Sequence, residues 1–185
     1  MLRMQIHLTL PPWIGDVVDE QQRYVTDEER VGLAIELSRR NIEHAHGGPF
    51  GAAVFNAEGR VVSVGVNRVV PQTCSVAHAE MMAYMTAQQR LAAFRLNQDG
   101  GRYTLATSAQ PCCQCYGATV WAGVDELLIG ARAGDVEALT EFDEGPLPTD
   151  WVGELERRGI AVRRDILREQ ARGVLAAYGQ SGQHY

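Results

Sequence analysis

The sequence predicts a three-layer α/β domain built around a mixed sheet, and two observations carry this. Strand-like and helix-like segments alternate from residue 27 almost to the end of the chain, the pattern of a sheet covered by helices on both faces. The first two strand segments are separated only by Ala57-Glu58-Gly59 and pair as an antiparallel hairpin, whereas the later strands are joined through helices, which makes their neighbours parallel. At 185 residues the chain has the size of one domain, and no repeat or low-complexity stretch divides it, so residues 1–185 read as a single domain.

Thr26 opens the first helix. Thr26 and Glu29 have capping-box spacing, and Val31, Ala34, Ile35 and Ile42 follow at helical intervals, which gives a helix over about 27–44. Gly47-Gly48-Pro49 ends it. Residues 51–56 and 60–67 form the hairpin, followed by a helix over 77–95, a turn over 97–101 and a short strand over 103–107. Pro111 suits the first turn of the next helix, where a missing N–H costs nothing, and that helix carries residues 112–122. A strand at 126–130, a helix at 135–139, a turn-rich loop at 142–149, a helix at 150–158, a strand at 160–163 and a last helix at 165–178 complete the chain.

All 17 basic residues are arginine, and there is no lysine. That excludes Schiff-base chemistry and a P-loop, because a guanidinium stays protonated and cannot replace a lysine amine. With 23 acidic residues the net charge is −6, which favours small uncharged substrates over phosphate backbones. No apolar run approaches the roughly 18 residues of a membrane span. Arg3, Gln5 and His7 interrupt the apolar residues of positions 1–10, unlike the core of a signal peptide. The expected compartment is the cytoplasm. There the four cysteines, Cys74, Cys112, Cys113 and Cys115, are thiols or metal ligands rather than disulfides.

The strongest chemical signal is His78-Ala79-Glu80 followed by Pro111-Cys112-Cys113-Gln114-Cys115. Cys112 and Cys115 are three apart, so on a helix their sulfurs share one face, and at a helix N-terminus the dipole favours the thiolate that binds metal. With His78 they make a three-ligand zinc site that keeps a fourth position open for water. Two thiolates cancel the charge of Zn²⁺, so the site needs a general base, and Glu80 stands two residues from His78. A closed structural zinc site would need a fourth ligand. Cys113 is the near candidate, but adjacent helical residues point about 100° apart, which assigns Cys113 to core packing; Cys74 reads as an ordinary buried thiol.

This pair of motifs resembles the signature of the zinc cytidine and nucleobase deaminases. The chain is similar above all to their guanine deaminase branch, which includes bacterial members that accept the triazine ammeline. The likeness runs from Pro11-Pro12 through Gly47-Gly48-Pro49-Phe50, Asn67-Arg68-Val69-Val70-Pro71 and the zinc motifs to Phe142-Asp143-Glu144-Gly145-Pro146. It implies a five-stranded sheet between helices, one zinc ion per chain, and hydrolytic deamination of guanine to xanthine and ammonia with Glu80 as the proton carrier. By the same resemblance Glu144 serves the departing amine, with Asp143 able to share that duty. Phe50 forms an aromatic wall, Asn67 offers donor and acceptor to the base edge, and Ala79 and Trp121 belong to the base pocket. The ending Gln183-His184-Tyr185 resembles a tail whose terminal aromatic, Tyr185, closes the pocket, in some members from a swapped subunit; a homodimer is expected. The sequence departs from the family at Gln110, where members usually carry glutamate before the Pro-Cys pair; an amide cannot hold an ionic contact there.

Other readings stay open at this level. The substrate is alternatively ammeline, another aminopurine or a cytosine-like pyrimidine, since each presents an amidine carbon. A tRNA or single-stranded DNA deaminase is the second reading by partner class, because residues 157–172 hold six arginines against Asp165 and Glu169. A non-catalytic zinc-binding module is the third, and it predicts that chelation unfolds the protein and that no amine substrate yields ammonia.

Overall fold

A computed structural model describes residue 2 and residues 4–182 of the chain. Its strands are β1 (Gly51–Asn56), β2 (Val61–Val66), β3 (Tyr103–Ala109), β4 (Glu126–Ala131) and β5 (Ala161–Arg163). They form one five-stranded sheet in the order β2-β1-β3-β4-β5. β1 runs antiparallel to β2 and β3, and β3, β4 and β5 are mutually parallel, as the hairpin and the helical connections predict.

The helices are α1 (Ile14–Val17), α2 (Asp27–Glu43), α3 (Val69–Gln72), α4 (Ala79–Leu91), α5 (Cys113–Ala122), α6 (Ala133–Leu139), α7 (Trp151–Glu156) and α8 (Arg168–Gln180). Strand alternation sorts the core into two layers. Ala53 and Phe55 of β1 pack with Val31 and Leu37 of α2, Val136 of α6 and Val174 and Leu175 of α8. Ala52 and Val54 face the other way, toward Ala83 and Tyr84 of α4, Ala122 of α5 and Leu155 of α7. Both faces of the sheet are therefore covered, which is the predicted three-layer arrangement.

Local chemistry explains the boundaries. The capping box is present: the Thr26 side chain accepts from the Glu29 N–H at 3.1 Å, and the Glu29 carboxylate accepts from the Thr26 N–H at 2.9 Å. α4 stops at Leu91, short of the expected residue 95, because Ala92 takes a left-handed conformation with φ 51°. The last helix starts three residues later than expected. Asp165 and Leu167 have φ of 68° and 51°, and the Asp165 carboxylate turns outward to grip Arg132 at 2.7 Å. Sequence periodicity did not indicate the two short helices α1 and α3, each too brief to show a period. Gly65 lets the start of α4 lie directly on β2, since a Cβ there would sit 1.9 Å from the Ala79 carbonyl oxygen. That close approach brings the first turn of α4 to the end of the sheet.

α8 is tied to α6 by a buried ion pair. Asp135, 3 % exposed, receives both Arg168 donors at 2.7 and 2.8 Å, the Arg132 backbone N–H at 2.9 Å, and Arg172. Arg168 first, and then the Arg132 N–H and Arg172, hold its carboxyl well below the usual carboxylate range. A depressed carboxyl stabilises the fold above its unfolded pKa near 3.9 and loses that contribution as pH falls toward the folded value. Asp135→Asn is expected to cost about 1–2 kcal/mol at pH 7, because Arg168 and Arg172, each about a third exposed, lose the carboxylate they share. Urea unfolding should show the gap to wild type narrowing at pH 3; a gap independent of pH would contradict this.

Candidate active site

Two helix N-termini converge at one end of the sheet. His78 is the N-cap residue of α4 and Cys112 that of α5; both have extended backbones, and neither side chain makes a capping hydrogen bond. Their side chains meet instead. His78 Nδ1 lies 3.4 Å from Cys112 Sγ and 3.6 Å from Cys115 Sγ, and the three atoms all fall within 4.8 Å of one another. A tetrahedral zinc with bonds of about 2.3 Å to sulfur and 2.0 Å to nitrogen requires an N–S edge of about 3.5 Å. The donor atoms therefore already stand at the vertices zinc would use.

The chemistry of the donor set also fits a dication. Cys112 is held as a thiolate, its pKa lowered to about 4, by the hydrogen bond from the Cys115 thiol and then by His78. The proximity of that thiolate, together with burial and Glu80, pushes the Cys115 thiol up. Two adjacent thiolates need a cation to coexist, and Zn²⁺ matches their summed charge.

Two carboxyls face this centre. Glu80, 6 % exposed, sits in the first turn of α4, and its Oε2 accepts from Cys115 Sγ at 3.4 Å. Burial, and then the Cys112 charge, raise its pKa to about 7. Glu144, 7 % exposed, comes from the loop between α6 and α7, and burial, Cys112 and Glu80 raise it to about 8. The loop is fixed over the site by the Cys113 backbone N–H, which donates to the Glu144 carbonyl at 2.9 Å. Asp143 borders the cavity beside this centre. Its carboxylate is exposed and accepts from the Gly145 N–H at 2.8 Å.

A cavity of about 190 Å³ is lined by Phe50, Asn67, His78, Glu80, Gln110, Cys112, Phe142, Asp143 and Glu144. It is smaller than the roughly 300–1,000 Å³ of drug-sized pockets, the scale of one heterocyclic base. Phe50 and Phe142 stand with ring centroids 5.4 Å apart, and Phe142 stacks in turn on Tyr178 of α8 at 5.6 Å. Asn67 is buried, and its Oδ1 accepts from the Gly48 and Val69 N–H groups, both at 3.3 Å. Those two bonds anchor the Asn67 side chain to the backbone on either side of it. Gln110 lines the cavity with its Oε1 toward the Ala133 N–H at 3.5 Å.

Most of the expected site residues thus come together; the others lie elsewhere. Trp121 is 76 % exposed on α5, outside this cavity, because α5 turns that face to solvent. Ala79 is fully buried under β2 and is not among the lining residues. Cys113 is exposed rather than in the core, with its sulfur against Gly145, and Cys74 is only half-buried. Tyr185 lies outside the described residues, as does the end of the expected closing tail. Phe142 lines the cavity as well; its signal in the sequence is an aromatic two residues before Glu144, and the Cys113–Glu144 bond holds that loop over the site.

The basic C-terminal stretch is largely neutralised. Arg157 and Arg158 pair with Glu154, Arg163 with Asp27 and Glu126, and Arg168 and Arg172 with Asp135. Arg164 lies over the Trp151 ring at 5.8 Å. Among the described residues no helix is long and apolar enough to cross a membrane.

Residues 25–131 match the model of the cytidine and deoxycytidylate deaminase zinc-binding region. A guanine deaminase of Bacillus subtilis is 32 % identical over 136 residues, covering 74 % of this chain and 83 % of that protein. The solved guanine deaminase from Nitrosomonas europaea is 43 % identical with a TM-score of 0.91, covering 97 % of this chain and 99 % of its own. A variant of NE0047 in complex with 8-azaguanine is 43 % identical with a TM-score of 0.92, covering 98 % and 100 %. With the His/Cys/Cys centre and its buried glutamate in place, the chain belongs to the zinc-dependent cytidine and deoxycytidylate deaminase family.

Proposed function

We propose that the protein is a guanine deaminase that converts guanine and water to xanthine and ammonia. The observation that carries this reading is the pair Glu80 and Glu144, buried on one base-sized cavity beside the His78, Cys112 and Cys115 donors, with the Asn67 amide in its wall. The similarity to guanine deaminases and to a structure holding 8-azaguanine supports the same substrate.

Zinc held by His78, Cys112 and Cys115 supplies Lewis acidity and lowers the pKa of water from 15.7 toward about 7. Asn67 donates to an acceptor on the base edge while Phe50 and Phe142 pack on the ring and exclude bulk water. Glu80 takes a proton from the water that adds to C2 and delivers it to the adjacent ring nitrogen. The C2–N bond then breaks as Glu144, kept protonated near neutral pH by its burial, supplies the proton for the departing ammonia, and the hydroxyl proton lost as the C2 carbonyl forms restores the Glu144 carboxyl. A cytoplasmic homodimer is the assembly this reading carries.

A screen of ammonia release over guanine, adenine, cytosine, ammeline and their nucleosides tests it. Guanine should give the highest kcat/KM and nucleosides should be poorer substrates, since the cavity of about 190 Å³ is on the scale of one base. Preference for a nucleoside would overturn the substrate assignment. Turnover of tRNA is not expected, because the arginines of residues 157–172 already have carboxylate or aromatic partners.

A further inference from the structure

The structure assigns Asn41 as a positioning residue that sets the base-reading amide of Asn67; this rests on the reading of Asn67 given above. Asn41 lies on α2, far in sequence from both zinc motifs, and is completely buried. Its Nδ2 donates two hydrogen bonds, to the Gly48 carbonyl at 2.9 Å and to the Asn67 carbonyl at 3.0 Å. Those two residues are bonded to each other on the cavity side, where the Gly48 N–H donates to Asn67 Oδ1 at 3.3 Å. One amide thus clamps both partners of the contact that holds the Asn67 side chain in place.

The surrounding chain leaves no slack for another arrangement. Gly47 has φ 143°, and a Cβ there would lie 2.0 Å from the Asn67 carbonyl oxygen and 2.9 Å from Asn41 Nδ2. The Asn67 N–H donates to the Phe50 carbonyl at 3.1 Å, so the aromatic wall and the reading amide belong to the same clamped unit. Ser38, one turn earlier on α2, holds the intervening Pro49 carbonyl at 2.7 Å.

A second observation separates positioning from packing. Asn41 Oδ1 is buried and has no hydrogen-bond partner among the described residues. An unsatisfied buried acceptor is a cost to folding, and an apolar residue at this position would avoid it. What an apolar residue lacks is a pair of N–H donors on one atom, and a hydroxyl offers one only. The position therefore keeps a group that is unfavourable for the core and suited to holding two carbonyls together. Glu80, Glu144 and the metal ligands stand on other elements, so loss of the clamp should weaken recognition of the base more than proton transfer.

Steady-state ammonia release and zinc content should be measured for Asn41→Ala, Asn41→Ser, Asn67→Ala and the double variant Asn41→Ala/Asn67→Ala. Asn41→Ala is expected to raise KM for guanine by about tenfold or more, with kcat per bound zinc changed by less than about threefold. In the Asn67→Ala background the same substitution should leave KM unchanged, because its route to the substrate is already cut. The inference is overturned if Asn41→Ala lowers Tm without moving KM, if the two KM effects multiply, or if Asn67→Ala itself leaves KM unchanged. Asn41→Ser, which keeps one donor and should give an intermediate KM, decides the matter if the alanine variant does not fold. The substrate reading is judged on wild type alone: should it prefer another cyclic amidine base, the same ratios measured on that base still decide the role of Asn41.

Discussion

Glu80→Gln should lower kcat by about 10²–10⁴, the usual contribution of a general acid/base, while leaving zinc bound. The amide has the shape of the carboxyl but cannot take up a proton at neutral pH. The three ligand atoms, His78 Nδ1, Cys112 Sγ and Cys115 Sγ, are untouched by the change. Stability supplies an independent sign. Burial, followed by the Cys112 charge, raises Glu80 from 4.5 to about 7, so the metal-free folded state binds more protons than the unfolded chain across that interval. Wild-type stability without metal should therefore fall as pH rises through about 4.5–7, and Glu80→Gln should remove its part of that fall. At pH 8 the metal-free variant is expected to melt no lower than wild type. If zinc content and guanine turnover both survived the substitution, the role of Glu80 would be wrong.

The second large effect is expected at Cys112. Cys112→Ala removes a ligand whose sulfur stands 3.4 Å from His78 Nδ1 at the N-terminus of α5. Zinc affinity should fall by far more than the 10–100-fold that loss of an outer-shell partner costs, and activity should vanish with the metal. Cys113→Ala is the matched control. Its side chain is exposed and packs on Gly145, and the backbone N–H that holds Glu144 remains. Metal analysis of the two purified variants should find zinc near one per chain for Cys113→Ala and nearly none for Cys112→Ala. Stoichiometric zinc in the latter would refute the ligand set.

How much of this was legible beforehand differs from residue to residue. Thr26 and Glu29 announced the first helix because a capping box is a contact between near neighbours, and it formed as the spacing predicted. The strand over residues 51–56 also formed as expected, and its alternation sets Ala53 and Phe55 in one core layer and Ala52 and Val54 in the other. Cys113 and Trp121 went the other way. Spacing gave the face each occupies on α5, but not whether anything packs on that face, and both are exposed. Asn67 could be singled out as a base-edge reader, yet the Gly48 and Val69 N–H groups that hold its Oδ1 are brought there only by the folded chain.

By itself, then, the sequence determined the layered α/β class, the three zinc donors and the carboxylate beside them. The class follows from the alternation of strand-like and helix-like segments. The donors and the carboxylate follow from separations of two residues, His78 to Glu80, and three, Cys112 to Cys115, at helix starts where local geometry sets side-chain directions. Only the tertiary structure decided that Glu144 and Phe142 line the same cavity as Glu80, that Glu144 is buried there while Asp143 borders it exposed, that the arginines of the C-terminal stretch are paired, and that Asn41 supports Asn67 from a distant helix. Each of these depends on a hydrogen bond or ion pair between residues far apart in the chain, and such contacts arise from how the layers pack rather than from any local periodicity.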